Sequence, residues 1–157
     1  MVGVPQAVAV NSGTSALEIA LRACGLKQGD EIIVPTNTFA ATAAAVVFAG
    51  GRPITDVCRD SLTLDADTVR RVITPKTRGV IVVHTGGFFC PEVESIRDEC
   101  GKRDLFLIED AAHAHGSKIK EKPAGSLGSV GCFSFYPTKN NDIWRRRNDN
   151  DAQRADC

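Results

Sequence analysis

Short, β-branched apolar runs alternate with segments of helical periodicity from residue 7 to residue 110, and this alternation restricts the chain to very few folds. Ile32-Ile33-Val34 and Val80-Ile81-Val82-Val83 are continuous apolar runs with no polar side chain between them. Strands that read this way are buried on both faces, which is the situation of a parallel sheet covered by helices. The pattern predicts strands at Ala7–Val10, Glu31–Val34, Arg52–Asp56, Val80–Val83 and Leu105–Glu109, with helices at Thr14–Cys24, Phe39–Phe48, Asp65–Val72 and Pro91–Lys102. Leu17, Leu21 and Cys24 form one face of the first helix, and Gly25 is a natural stop. The fold class is therefore α/β with a mainly parallel sheet, and no internal repeat or domain boundary interrupts it before Asn140.

Composition narrows the partners. The 157 residues are 43% hydrophobic, enough for one sizeable core. Nineteen Lys and Arg balance nineteen Asp and Glu, leaving no net field to draw nucleic acid or an anionic membrane. Six cysteines are scattered without a C-x-x-C pair, which fits a reducing cytoplasm. Met1–Val10 lacks the basic region of a signal peptide, and no apolar run is long enough to cross a bilayer.

Three clusters carry chemistry. Asn11-Ser12-Gly13-Thr14-Ser15 follows a predicted strand and opens a helix, where unpaired N–H groups and the helix dipole favour a phosphate; plain capping by Ser12 or Thr14 is the simpler reading of the same residues. Ile108-Glu109-Asp110-Ala111-Ala112-His113-Ala114-His115 ends a strand in a carboxylate, at the edge of the sheet where open α/β folds bind ligands. Its two histidines match no established zinc spacing. Phe133-Ser134-Phe135-Tyr136-Pro137-Thr138-Lys139 is an aromatic strand leading through a proline turn to a lysine. Gly125, Gly128 and Gly131 are not a dinucleotide fingerprint, because no helix pattern follows them.

Taken in order, Ser-Gly-Thr-Ser-Ala-Leu at 12–17, Gly-Asp-Glu-Ile-Ile-Val-Pro at 29–35, Glu-Asp-Ala-Ala-His-Ala at 109–114 and Phe-Ser-Phe-Tyr-Pro-Thr-Lys-Asn at 133–140 resemble the DegT/StrS family of sugar aminotransferases, enzymes of pyridoxal-phosphate fold type I. The resemblance implies a three-layer large domain, partial here, over residues 1–140. It implies pyridoxal 5'-phosphate as cofactor, with Lys139 as the lysine that carries it and Asp110 at the pyridine nitrogen, where a carboxylate keeps the ring protonated. Ser12, Gly13, Thr14 and Ser134 match the phosphate-holding positions, Phe39 the aromatic that stacks on the ring, and His113 the position near the ring hydroxyl. His84 and His115 match no role.

The implied reaction passes an amino group, commonly from glutamate, to a keto-sugar nucleotide in a homodimer whose active sites lie between subunits. Related sugar dehydratases carry histidine at the position of Lys139, so the lysine favours transamination over that branch, while a lyase on the same scaffold, or an inactive fragment, is the alternative. Family members are longer at both ends and add a small carboxyl-terminal domain. They continue after the lysine with Ser-Gly-Glu-Gly-Gly, where this chain has Ile143-Trp144-Arg145-Arg146-Arg147. Shifting the reading frame of codons for the former yields the latter. The expectation is thus a fragment with an anomalous tail at 141–157, locally frameshifted or disordered, in which enzyme activity is in question.

Overall fold

The computed structural model describes residues 2–56 and 61–137. Helices α1 (Gly13–Ala23), α2 (Ala40–Phe48), α3 (Ala66–Val72) and α4 (Val93–Gly101) alternate with strands β1 (Glu31–Pro35), β2 (Arg52–Asp56), β3 (Thr77–Val83) and β4 (Phe106–Asp110). A hairpin of β5 (Lys118–Ile119) and β6 (Lys122–Pro123) follows, and then β7 (Val130–Cys132). The main sheet has the order β2-β1-β3-β4-β7 with every neighbouring pair parallel.

Side chains alternate across this sheet and build two cores. Ile32, Val34, Ile81, Ile108 and Cys132 face α1 and α2, packing on Leu17, Leu21, Ala45 and Val46. Ile33, Val80, Val82 and Leu107 face the other way, onto Leu64 and Val69 of the α3 region and Val93, Ile96 and Cys100 of α4. Sequestering apolar groups on both sides is what requires the unbroken β-branched runs of β1 and β3. The α/β fold class with a mainly parallel sheet is as expected, and eight of the nine regular segments read from the pattern are present with small shifts at their ends.

Two expectations fail. Ala7–Val10 forms no strand; residues 3–10 are exposed, Val8 at 83%, and no neighbouring ladder accepts their backbone groups. The aromatic segment Phe133–Tyr136 is not a strand either, because β7 lies just before it. The β4–β7 ladder stops at Asp110 opposite Cys132, with Ala111 N–H donating to Cys132 O at 2.8 Å, so residues beyond Cys132 have no strand to pair with. The described cysteines Cys24, Cys90, Cys100 and Cys132 are free thiols. Among the described residues no helix is long and apolar enough to cross a membrane. The tail at 141–157 lies outside the described residues.

Candidate active site

The carboxyl ends of β4 and β7 and the amino end of α1 meet on the α1/α2 side of the sheet. Ser12 caps α1 in an extended conformation, its Oγ accepting from Ser15 N–H at 3.1 Å, while Ala16 N–H bonds Ser12 O at 3.0 Å. Ser12 therefore caps α1, as the simpler reading of these residues has it. The N–H groups of Gly13 and Thr14 precede the first intrahelical bond and remain at the positive end of the helix dipole.

Gly13 is where the helix touches the chain beyond β7. A Cβ at this position would stand 3.0 Å from Ser134 Cβ, 3.4 Å from Ser134 Oγ and 3.7 Å from Phe133 O. Only a residue without a side chain lets α1 approach this closely, and the approach places the Ser134 hydroxyl beside the first turn of the helix. Ser134 Oγ also accepts from Tyr136 N–H at 3.4 Å.

Asp110 ends β4 with its side chain on the same face. Its Oδ2 accepts from Thr42 Oγ1 at 2.9 Å, and its Oδ1 from Ala112 N–H at 3.2 Å. Thr42 spends its one hydroxyl hydrogen on Asp110, so the 2.8 Å contact between Thr42 and Thr38 is a donation from Thr38. This relay joins the loop after β1 to the carboxylate. Phe39, the residue before α2, lies between those two threonines in sequence and is 73% exposed rather than in the core.

His113 stands three residues past Asp110, and its Nδ1 accepts from Gly86 N–H at 3.2 Å. That bond ties the loop after β4 to the turn after β3, in which Gly86 takes a left-handed φ of 63°. Since Nδ1 is an acceptor here, the neutral ring carries its hydrogen on Nε2. His115 lies between Phe133 and Phe135, with ring centroids 5.4 and 5.0 Å away, and neither of its buried nitrogens has a hydrogen-bond partner among the described residues. Burial, reinforced by the repulsion that protonating both it and His113 would create, holds its pKa below the ordinary histidine value.

The structure thus brings Gly13 and Ser134 into contact, puts Ser12 and Thr14 in the same helical turn, and sets Asp110 and His113 at and beyond the end of β4. Lys139 lies outside the described residues. Sequence reasoning missed Thr42, although a lone buried hydroxyl in the otherwise apolar helix Ala-Ala-Thr-Ala-Ala-Ala-Val-Val-Phe was a usable signal. It also missed Glu109, which is fully buried and turns to the opposite face from Asp110. Among the described residues no group of three or more His, Cys, Asp or Glu could hold a metal ion.

Known proteins share this arrangement of elements. The spore coat polysaccharide biosynthesis protein SpsC of Bacillus subtilis is 41% identical over 140 residues, 88% of this chain and 36% of that protein. A GDP-perosamine synthase of Vibrio cholerae is 40% identical over 137 residues, 87% of this chain and 37% of that protein. Among solved structures, DesI in the presence of its TDP-sugar product superposes with a TM-score of 0.81 at 38% identity, covering 88% of this chain and 35% of that one. NtdA of Bacillus subtilis, with bound cofactor PMP, gives a TM-score of 0.73 at 38% identity over 82% of this chain and 29% of that one. The chain therefore spans just over a third of the length of the relatives it matches. The model of the DegT/DnrJ/EryC1/StrS aminotransferase family matches residues 1–141, and the chain belongs to that family.

Proposed function

We propose that these residues form the cofactor-binding part of a pyridoxal-phosphate-dependent aminotransferase acting on a keto-sugar nucleotide, with glutamate as amino donor. The observation that carries this reading is the contact of Gly13 with Ser134, which pairs a helix amino terminus with a hydroxyl in a cradle that a single Cβ would fill. A phosphate fits that donor set, and the anchored carboxylate of Asp110 on the same sheet face fits a protonated pyridine nitrogen. When bound, pyridoxal phosphate supplies an electron sink for the carbanion at the substrate carbon.

In this reading the chain's own groups do the rest. The backbone N–H groups of Ser12, Gly13 and Thr14, with the Ser134 hydroxyl, hold the phosphate. Asp110 keeps the proton on the ring nitrogen, its orientation set by Thr42 and Ala112. Phe39, exposed at the mouth, stacks on the ring. His113 offers its Nε2 hydrogen toward the ring hydroxyl. Lys139 carries the cofactor and, once free, moves the proton at the substrate carbon as a neutral amine. The free described thiols suit a cytoplasmic enzyme, and the parent protein works as a homodimer.

The test is to fold the chain with pyridoxal phosphate, reduce with borohydride and map the modified peptide by mass spectrometry. A phosphopyridoxyl group on Lys139 that is lost in Lys139→Ala supports the reading. A folded chain labelled elsewhere or not at all refutes it. With a full-length parent, amino transfer to a keto-sugar nucleotide rather than release of ammonia or water separates transamination from dehydratase chemistry.

A further inference from the structure

The glycines at 125 and 128 have a role in this fold, and it centres on Glu109. Its carboxylate is completely buried, on the face of the sheet opposite Asp110. Oε2 accepts from Gly125 N–H at 2.9 Å, and Oε1 from Leu127 N–H at 2.6 Å and Gly128 N–H at 2.7 Å. The fourth donor is His84 Nε2, at 3.0 Å from Oε2. Cys90 N–H donates to His84 Nδ1 at 3.1 Å, which leaves the ring hydrogen on Nε2, where it meets Glu109. One carboxylate thus collects three backbone N–H groups of the turn before β7 and one imidazole of the turn after β3.

A buried carboxylate without partners is costly, and one with four donors is not. The turn has been shaped to supply those donors closely. A Cβ on Gly128 would come 2.6 Å from Leu107 O, and one on Gly131 would come 2.4 Å from Gly125 O. The turn is therefore pressed against β4, and β7 issues directly from it, followed after Cys132 by Phe133 and Ser134. His84 N–H, at the other end of the same network, donates to Asp110 O at 3.1 Å.

Resting on the reading above, we infer that Glu109 is the positioning residue of the site: it clamps the 125–128 turn to β4 and thereby sets the segment carrying Ser134 against Gly13. Glu109 touches neither reacting group. It acts through the turn, through the start of β7, and through His84 on the backbone of Asp110.

The experiment compares the chain with Glu109→Gln and Glu109→Asp. It reads amide hydrogen exchange at Gly125, Leu127 and Gly128, the NMR cross-peak between Gly13 Hα and Ser134 Hβ, and titration with pyridoxal phosphate. The amide of glutamine has the shape of the carboxylate but cannot accept at both ends, so roughly tenfold or faster exchange at these three N–H groups is expected, with loss of the Gly13–Ser134 cross-peak and roughly tenfold weaker cofactor binding. Glu109→Asp keeps the charge but falls a methylene short, and it should restore part of each. Unchanged exchange and an intact cross-peak in Glu109→Gln would overturn the inference, as would faster exchange with the cross-peak retained. If the wild-type chain binds no cofactor, the functional reading fails while the exchange and cross-peak still decide this one. If Glu109→Gln does not fold, the wild-type carboxyl is followed by 13C NMR: an anchor with four donors stays ionised below the ordinary glutamate range, and a Glu109 that titrates like an exposed glutamate overturns the clamp.

Discussion

Thr42 in α2 donates its hydroxyl to Asp110 Oδ2 at 2.9 Å, and both side chains are buried. The bond fixes the carboxylate in one rotation at the edge of the sheet. Thr42→Val keeps the shape of the side chain but leaves a buried carboxylate oxygen without its donor, which costs about 1–3 kcal/mol. Urea unfolding should show that loss, and pyridoxal phosphate should bind more weakly. Thr42→Ser should retain most of both. Equal behaviour of the valine and serine variants would remove Thr42 from the site.

Glycine substitutions separate the cradle from the scaffold. At Gly13 the added methyl group meets the Ser134 side chain, its Cβ at 3.0 Å, which need give only by tenths of an ångström. At Gly131 it meets the carbonyl oxygen of Gly125 at 2.4 Å, where both partners are backbone. Gly131→Ala should therefore lower stability by about 1–3 kcal/mol in urea unfolding, as overpacking does. Gly13→Ala should cost clearly less stability but weaken binding of pyridoxal phosphate. The reverse ranking in unfolding would show that the α1 contact, not the turn, bears the strain.

Two groups contribute to the acid side of the stability profile. Burial pushes the Glu109 pKa up, but the bonds from His84 and from Gly128, Gly125 and Leu127 outweigh it and hold the carboxyl below its ordinary value of 4.5. Its folded pKa being lower than its unfolded one, the stability it confers is complete above about pH 4.5 and is lost as pH falls through the folded value. For His115 the folded pKa also lies lower, so the unfolded chain takes up the proton first and stability declines as pH drops below 6.5. Urea midpoints measured against pH should show an upper and a lower step, and His115→Phe, which keeps the ring between Phe133 and Phe135, should abolish the upper one. A His115→Phe profile that still declines between pH 6.5 and 4.5 like the wild type would assign that step elsewhere.

The β5–β6 hairpin turns on Lys120 and Glu121, with φ of 47° and 65°. A two-residue loop with both φ positive is a type I′ turn, which Asn-Gly adopts readily and Lys-Glu does not. Replacing Lys120 with Asn and Glu121 with Gly should raise stability by about 1–2 kcal/mol, since left-handed backbone is costly for larger side chains. The hairpin stays moored by Lys122, which bonds Glu94 of α4 at 2.7 Å. A lower thermal midpoint in the double variant would mean that the ion pairs of Lys120 with Glu94 and of Glu121 with Lys118 matter more than the backbone.

Most of the sheet was legible because its signals are local. The apolar runs of β1 and β3 must be covered on both faces wherever they lie, and Asp65 caps α3 through its own Thr68 N–H at 2.6 Å. Where an expectation failed, the missing information was a partner. Ala7–Val10 has strand-forming residues but no neighbouring ladder, and Phe133–Tyr136 lies past the point where β4 stops offering one.

The site divides in the same way. Asp110 and Ser12 were readable from their positions at the end of a strand and the start of a helix, because those termini present unpaired groups whatever surrounds them. Glu109 and Asp110 are adjacent acids in one sequence, and nothing local says which face of the sheet each one takes. The pleat of β4 decides it, sending Glu109 to the turn at 125–128 and Asp110 to Thr42. Likewise Gly13 and Ser134 are far apart along the chain, and only the packing of α1 against the end of β7 makes them two sides of one cradle. The sequence by itself determined which segments are strands and helices and which termini carry free polar groups, since those follow from side-chain period and backbone valence. The tertiary structure alone decided which of those groups meet, because a contact between distant residues is set by sheet order and close approach, and neither is encoded in any single stretch of the chain.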